Sequence, residues 1–562
     1  MWLDARTLSA GETVDADVCV VGAGPAGIGL ALSLARTGGV RVLLVESGGI
    51  EADPQAQSLA EGVTTGDPFQ PLVQTRARRF GGTAHFWNSG VGGQEVGFRC
   101  GSLHEVDFER RDWLPHSGWP FGRAELAPYM DAAHAVCRLG PSCSFDGAAW
   151  SRGQDDRPLP LDPAVLTTSV WQFGVQQTFT EHYREEIGRH PTITTMLHAN
   201  VVEIETNDAA SEVTRLRVAR FGAEGVFVRA RAYVLAAGGI ESARLLLLSD
   251  RVQRTGLGNG HDVVGRYFME HQFLHGGTLV PASRDLFNRT ALYDNRVVDG
   301  ALVAGKIDLT DEVIRRERLL NVSMAIFPRH PYHGRARQEV ADSLAFLLRQ
   351  ARRGRVPADA GRHLRTVAGG LDYAAIVALR GLSGGRLFPY HRVGPDIIEG
   401  TGWAHLDRKE RRFTTYQAIL HTEQAPDPDN RVTLGPEKDA LGYRRARLHW
   451  RWTERDMDGV QRAQSIFARE LARAGVGTYQ PATDARGRPV LLHPGLHHHM
   501  GTTRMHDDPT QGVVNADSRV HGVGNLYVTG CSVFPTGGYI NSTLTVVALA
   551  LRLADHLRAT LH

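Results

Sequence analysis

The 562-residue sequence predicts an α/β protein organised around parallel strands, and three stretches carry that prediction. Residues 17–46, DVCVVGAGPAGIGLALSLARTGGVRVLLVE, read as strand, glycine turn, helix and strand. Residues 232–247, AYVLAAGGIESARLLL, read as a strand running into a helix after a long excursion. Residues 525–550, NLYVTGCSVFPTGGYINSTLTVVALA, supply a further strand, a Pro-Thr-Gly-Gly loop and the last helix.

In the first stretch, Val18 to Val21 is short, apolar and β-branched, as suits a parallel strand buried on both faces. It enters Gly22-Ala-Gly24-Pro-Ala26-Gly27, and a helical run follows to Gly38-Gly39. A second apolar strand, Val40 to Val45, ends in Glu46. The spacing is that of a βαβ nucleotide site. Gly22 makes the tight turn, Gly24 lets the backbone approach a pyrophosphate, and Gly27 lets helix pack on strand. The helix N-terminus offers unpaired N–H groups and partial positive charge. Glu46 can accept hydrogen bonds from a ribose hydroxyl. An acid there disfavours a 2′-phosphate, leaving NAD or FAD.

The middle of the chain bears on that choice. TTMLHANVVEIETN at 194–207 is a strand ending in a turn, and the apolar run Ala232 to Ala236 returns to small residues. Such a return fits a two-domain flavoprotein, with Val201 against adenine and Ala237, Gly238 and Gly239 passing close to the dinucleotide. RARRFGGTAHFWNSGVGG at 76–93 adds a glycine loop. Gly81, Gly82 and Thr83 allow backbone to approach a flat ligand, with Trp87 and Asn88 close behind.

Composition bounds the rest. Lys plus Arg number 63 and Asp plus Glu 61, so the net charge of +2 gives no global attraction for nucleic acid. Five scattered cysteines without a CxxC suggest free thiols in a reducing compartment. No secretory leader is evident at the N-terminus, and TLTVVALALRLADHL is too short and charged to span a bilayer. The expected location is cytoplasmic. Residues 315–365 hold 12 Arg, no Lys and 4 acids, the composition of a solvated helical face or of a docking surface for an acidic partner, an electron acceptor or an anionic membrane.

Residues 497–505, HHHMGTTRM, pose a sharper question. Adjacent histidines rarely point at one ion, and no carboxylate or cysteine cluster stands at ligand spacing, so no metal is expected. A plain polar turn is one reading. Acid–base chemistry is another: oxidising an alcohol removes a proton from oxygen as hydride leaves carbon, and histidine is suited to take it.

Taken together, GAGPAG with Glu46, RRFGGT (which includes Arg79), HSGWP at 116–120, AAGGIESARLLL at 236–247, GLGNGHDVVGRYFMEH at 256–271, EQAPDPDNRVTL at 423–434 and the segment from 497 onward resemble the glucose-methanol-choline (GMC) oxidoreductases. The glycine loop is similar to that of pyranose oxidase-like and sugar dehydrogenase-like members. The resemblance implies a Rossmann-like FAD-binding domain assembled from discontinuous segments, and an α+β substrate domain with a large, mainly antiparallel sheet. The corresponding division is 1–105, 191–275 and 491–562 for FAD, 106–190 for a substrate or lid segment, and 276–490 for the substrate domain.

The same resemblance implies hydride transfer from an alcohol, a sugar or a polyol-like CH–OH group to flavin N5. The base would be His498, three residues before Gly501, flanked by His497 and His499. Asn541 would pair with it across the substrate while also standing at an N-cap position. Gly530, Cys531, Ser542 and Thr543 would line the flavin. The helix N-terminus at Thr543 and Leu544 would stabilise negative charge on reduced flavin. Some relatives attach flavin to a histidine directly before the tryptophan of the loop. Phe86 fills that place here and His85 comes one residue early, so non-covalent FAD is expected. The electron acceptor would be O2 or a quinone- or dye-like molecule. The alternative is a non-redox enzyme on the same fold, such as a hydroxynitrile lyase-like protein. YHRVGPDIIEG at 390–400 is a candidate loop over the site.

Overall fold

The computed structural model describes residues 1–36, 38–87, 90–91, 94–95, 97–329, 335–357, 359–382, 402–493 and 495–561. Asn88 and the 390–400 loop lie outside the described residues.

Six parallel strands form the first sheet, in the order Trp2–Asp4, Ile193–Leu197, Val42–Val45, Val18–Val21, Ala232–Leu235 and Leu526–Val528. All residues of Val18–Val21, Val42–Val45 and Ala232–Leu235 are buried, which is why these strands read as unbroken apolar runs. The three sequence stretches that predict the α/β class thus supply four of the six strands. The helix Pro25–Arg36 follows the central strand and packs against the last helix, Thr543–Leu561. Two small sheets flank this core. Asn200–Thr206, Val213–Arg220, Ala223–Arg229 and Thr13–Asp15 form one; Arg431–Lys438, Arg444–Trp450 and Gly62–Gly66 form the other.

A nine-stranded sheet builds the second layer system, and all its pairings are antiparallel. Its main path runs Gly477–Pro481, Gln272–Pro281, Thr415–Thr422, Val322–Arg329, Ala301–Leu309, Leu166–Gly174 and Phe98–Cys100. The amphipathic helix Glu454–Arg473 packs beside Gly477–Pro481. Its start is closed by a reciprocal cap between Thr453 and Asp456. Two large apolar clusters result, one around the parallel sheet and one beneath the antiparallel sheet. No described helix is long and apolar enough to cross a membrane.

The two systems meet where the chain leaves one sheet for the other. Met269 and Met500 exchange backbone hydrogen bonds of 3.0 Å just before the strand Gln272–Pro281 begins. That exchange seats residues 269–271 beside 498–500. Gly501 makes the approach possible: its φ is +84°, and a Cβ there would lie 2.1 Å from the Tyr267 carbonyl oxygen.

Candidate active site

A cavity opens at the C-terminal ends of the parallel strands, the place where open α/β sheets bind their ligands. At its floor, Gly22 has φ +109° and donates its N–H to the Val45 carbonyl at 2.8 Å; a Cβ on it would strike the Ala236 oxygen. Gly27 does not line the cavity. It lets the helix press on the turn, since a Cβ would lie 1.9 Å from the Gly22 oxygen. Gly24, Gly238 and Gly530 do line the cavity, and open space stands where each Cβ would be. Glu46 lines it too, held by the N–H groups of Ala23 at 3.1 Å and Gly48 at 3.0 Å. Ala26, Gly82, Thr83, Trp87, Val201 and Ala237 complete one wall; Cys531, Ser542 and Thr543 stand on another.

Some expected residues fall elsewhere. Gly81 turns with φ +90° and faces Thr180. Arg79 lines a separate surface concavity with Glu51 and Arg184. Arg76, Ala77 and Arg78 reach the cavity instead, and Arg76 and Arg78 are the charged members of that stretch. Arg76 and Arg78 both pair with Glu241, at 2.6 and 3.1 Å, and their charges together with that of Arg244 hold its carboxyl far below the usual range. Burial itself acts on Glu241 in the opposite direction and is the largest single influence. His85 turns away from the cavity, its Nε2–H donating to the Phe80 carbonyl at 2.8 Å.

The three consecutive histidines take three different places. His497 sits in the left-handed region at φ +67° and reaches the Thr75 carbonyl at 3.1 Å. His499 is buried against Phe268 and Phe69, and its Nε2 lies 3.9 Å from Glu270 Oε2. His498 is buried between His271 and Asn541, with Nδ1 to Nδ1 at 2.9 Å and Nε2 to the Asn541 Nδ2 at 3.4 Å. Asn541 and His498, 43 residues apart in sequence, therefore converge as expected. The last helix begins at Thr543, so Asn541 stands one residue ahead of the cap position and its amide turns to His498.

His271 and Glu270 escape a residue-by-residue reading. Both close the quoted run GLGNGHDVVGRYFMEH, but nothing in that run announces their proximity to His498, 227 residues beyond His271. Their geometry sets the proton on His498. The His271 Nε2 faces the Gly537 carbonyl at 3.3 Å, and a carbonyl only accepts, so this nitrogen carries hydrogen. Burial depresses the His271 pKa to about 4, leaving its Nδ1 bare at neutral pH. His498 Nδ1–H then donates to it. Burial, then the neighbouring histidines, holds His498 well below the ordinary histidine value, so its Nε2 is also bare. Glu270 clamps the loop from below, accepting the His498 backbone N–H at 2.8 Å and that of His271 at 3.0 Å. Burial raises its pKa to about 8. The site thus presents one lone pair, on His498 Nε2, beside one amide donor.

Three comparisons bear on this geometry. The family model described as GMC oxidoreductase matches residues 426–550. A 2-methyl-1,2-propanediol dehydrogenase from Mycolicibacterium austroafricanum is 25% identical, over 98% of this chain and 96% of its own. A 6'''-hydroxyparomomycin C oxidase from Streptomyces lividus is 25% identical, over 97% and 92%. A C-glycoside 3-oxidase from Arthrobacter globiformis is 40% identical over a shorter stretch, 20% of this chain and 21% of its own. His498 and Asn541 both fall inside the segment that matches the GMC oxidoreductase family model.

Proposed function

We propose that the chain oxidises a CH–OH group of a small alcohol, sugar or polyol-like molecule to a carbonyl, using FAD. The observation that carries the reading is the bare His498 Nε2 beside the Asn541 amide, next to a cavity with glycines at a turn and two helix starts. The residues present suit a dinucleotide. Gly24, Gly238 and Gly530 leave open space toward the cavity, Arg78 Nε is buried there without an acceptor, and Glu46 stands at a strand end. The relatives' names, which specify diols, aminoglycosides and glycosides, support a hydroxyl-bearing substrate.

Bound FAD would supply the two-electron acceptor. The chain's own part is proton transfer and positioning. Asn541 Nδ2–H donates to the substrate hydroxyl oxygen and orients it toward His498. His498 Nε2 takes the hydroxyl proton as the C–H bond gives up its electron pair, so that the new C=O forms without a free alkoxide. His271 keeps the accepting nitrogen bare beforehand and shares the charge afterwards. Enclosure of both rings keeps water from competing for the proton. We propose FAD assembled on segments 1–105, 191–275 and 491–562. We further propose that it is held non-covalently, which the bond from His85 to Phe80 supports.

The test is an anaerobic panel of alcohols and sugars scored by bleaching of the oxidised-flavin band. The His498→Ala variant should bind FAD normally and reduce it about 10²–10⁴-fold more slowly. A flavin that no alcohol in the panel bleaches, but a protein that cleaves cyanohydrins, would favour the non-redox alternative. Peroxide formation in air would assign O2 as acceptor; turnover with quinone alone would assign a dehydrogenase. Acid precipitation should leave yellow colour in the supernatant.

A further inference from the structure

Three helices, Arg335–Arg352, Ala360–Ala368 and Leu371–Leu382, lie in the chain between two neighbouring strands of the nine-stranded sheet, Val322–Arg329 and Thr415–Thr422. They pack on one another around Val340 and Ala374, a small cluster separate from both main cores. Their outer surface is unusual in two ways.

The first is apolar exposure. On Leu371–Leu382 the exposed positions with described side chains include Leu371, Ala375, Ala378, Leu379 and Leu382, while Ala374 is buried. Spacings of four, three, one and three place these five on one helical face, and every one of them is apolar. Leu382 is 86% exposed and Val356, on the preceding connection, 90%. Of the fifteen large apolar side chains exposed among the described residues, six lie between 348 and 382. Scattered exposed leucines need no explanation, but a concentrated apolar face does.

The second is charge. Residues 335–382 contain nine Arg and four acids, 9 − 4 = +5, whereas the whole chain carries +2; the remainder is therefore −3. Arg349, Arg352, Arg353 and Arg355 are exposed and have no carboxylate partner among the described residues. The positive charge is thus concentrated on the element that also exposes leucines.

We propose that this helical face docks on an anionic lipid surface, its leucine and valine side chains entering the boundary layer of the bilayer and its arginines engaging lipid phosphates. Two observations favour lipid over an acidic protein. The exposed apolar side chains are flexible aliphatics, whereas protein hot spots favour Trp and Tyr in pockets and under-use Leu and Val. The same three-helix segment carries, at 349–355, four exposed arginines with no carboxylate partner among the described residues, and the combination of exposed aliphatic and basic side chains is that of an interfacial element. Attachment is peripheral, since no described helix can cross a membrane. The proposal is independent of the chemistry assigned to His498.

The test uses the full-length holoprotein in vesicle sedimentation, with phosphatidylglycerol–phosphatidylcholine vesicles against pure phosphatidylcholine. Binding is expected to the anionic vesicles and to weaken strongly at high salt. Replacing Arg349, Arg352, Arg353 and Arg355 with Gln should lower binding by about fivefold per arginine. The triple variant L371S/L379S/L382S should lower it independently while leaving the melting temperature unchanged, because these side chains are exposed. Absence of vesicle binding at low salt would overturn the proposal. So would binding that both variants retain in full. A wild-type dimer that the serine variant converts to monomer, with no vesicle binding by either, would assign the face to a second copy of the chain and equally overturn it.

Discussion

His271 Nδ1 and His498 Nδ1 stand 2.9 Å apart, so one of the two nitrogens carries a proton and the other must not. The Gly537 carbonyl decides which, by holding hydrogen on the far side of His271. A backbone oxygen thereby selects the tautomer of a side chain two rings away. His271→Leu removes the acceptor and leaves His498 Nδ1–H buried and unpaired, a penalty of about 1–3 kcal/mol. His498 can escape it by moving its proton to Nε2, which would disable it as the proposed base. Substrate-driven flavin reduction should slow by about 5- to 150-fold with little change in KM. His271→Gln, whose side-chain oxygen can accept the same bond, should restore most of the rate. Equal losses in both variants would mean that His271 only fills space.

The same enclosure fixes the pH behaviour. As the proposed base, His498 needs its neutral form, and its pKa lies well below the ordinary histidine value. The reductive step should therefore stay flat as pH falls through 6.5, where an exposed histidine would switch off. A rate that halves near pH 6.5 would show that the base is exposed in solution. Stability should respond oppositely to the rate plateau. His271 is held near 4 when folded and returns to about 6.5 when unfolded, so the unfolded chain binds the extra proton. Its neutral-state contribution is complete above pH 6.5 and lost as pH falls toward 4, about 3 kcal/mol in all. Chemical denaturation of wild type and His271→Gln at pH 7 and pH 5 measures it: the variant should lose less on acidification.

Two glycines of one motif should fail in different ways. A Cβ on Gly24 meets nothing within 4 Å and points to the cavity; a Cβ on Gly27 would lie 1.9 Å from a backbone oxygen. Gly24→Ala should fold with near-normal stability and lose FAD affinity. Gly27→Ala should lose stability outright, by at least the about 1–3 kcal/mol typical of overpacking. Melting curves with and without added FAD separate the two. Normal FAD content in Gly24→Ala would remove the dinucleotide from this part of the cavity.

What the sequence made legible was local. Strand, turn and helix at 18–36 follow from residue types within one turn of each other, and the structure places them as read. The second strand starts at Val42 rather than Val40, because Val40 still belongs to the turn after Gly38 and Gly39. Residues that act through long-range pairing were not legible. Glu270 and His271 matter because Met269 pairs with Met500, and no periodicity encodes that meeting. Arg79 lies outside the cavity for a different reason: a motif names the segment, but which of its residues face the cavity depends on the backbone, and here Arg76, Ala77 and Arg78 do. Asn541 opposite His498 came from family resemblance alone, and their 3.4 Å approach agrees with it.

Behind the site, Arg111 and Glu423 form a two-pronged ion pair, at 2.9 and 2.5 Å, with no exposed side-chain surface on either. Glu423 also accepts the Asn321 N–H at 2.9 Å, which ties the segment before the 322–329 strand to that before Trp113. Asp107 stands close by, bonded to Asn321, its carboxyl raised to about 6 by burial first and the Glu423 charge second. Removing one ion strands the other, so Arg111→Met should cost about 3–5 kcal/mol, while R111M/E423Q should cost less than the sum of the single changes. Arg111→Met should also push Asp107 further up, since it withdraws a positive charge that lowers that carboxyl. Unfolding curves of the double-mutant cycle test this, and additive losses would show that the two side chains are not coupled. The His498–Asn541 pair should be spared at temperatures where the variant stays folded, because Thr536 links to the Asp107 backbone oxygen rather than to its carboxyl.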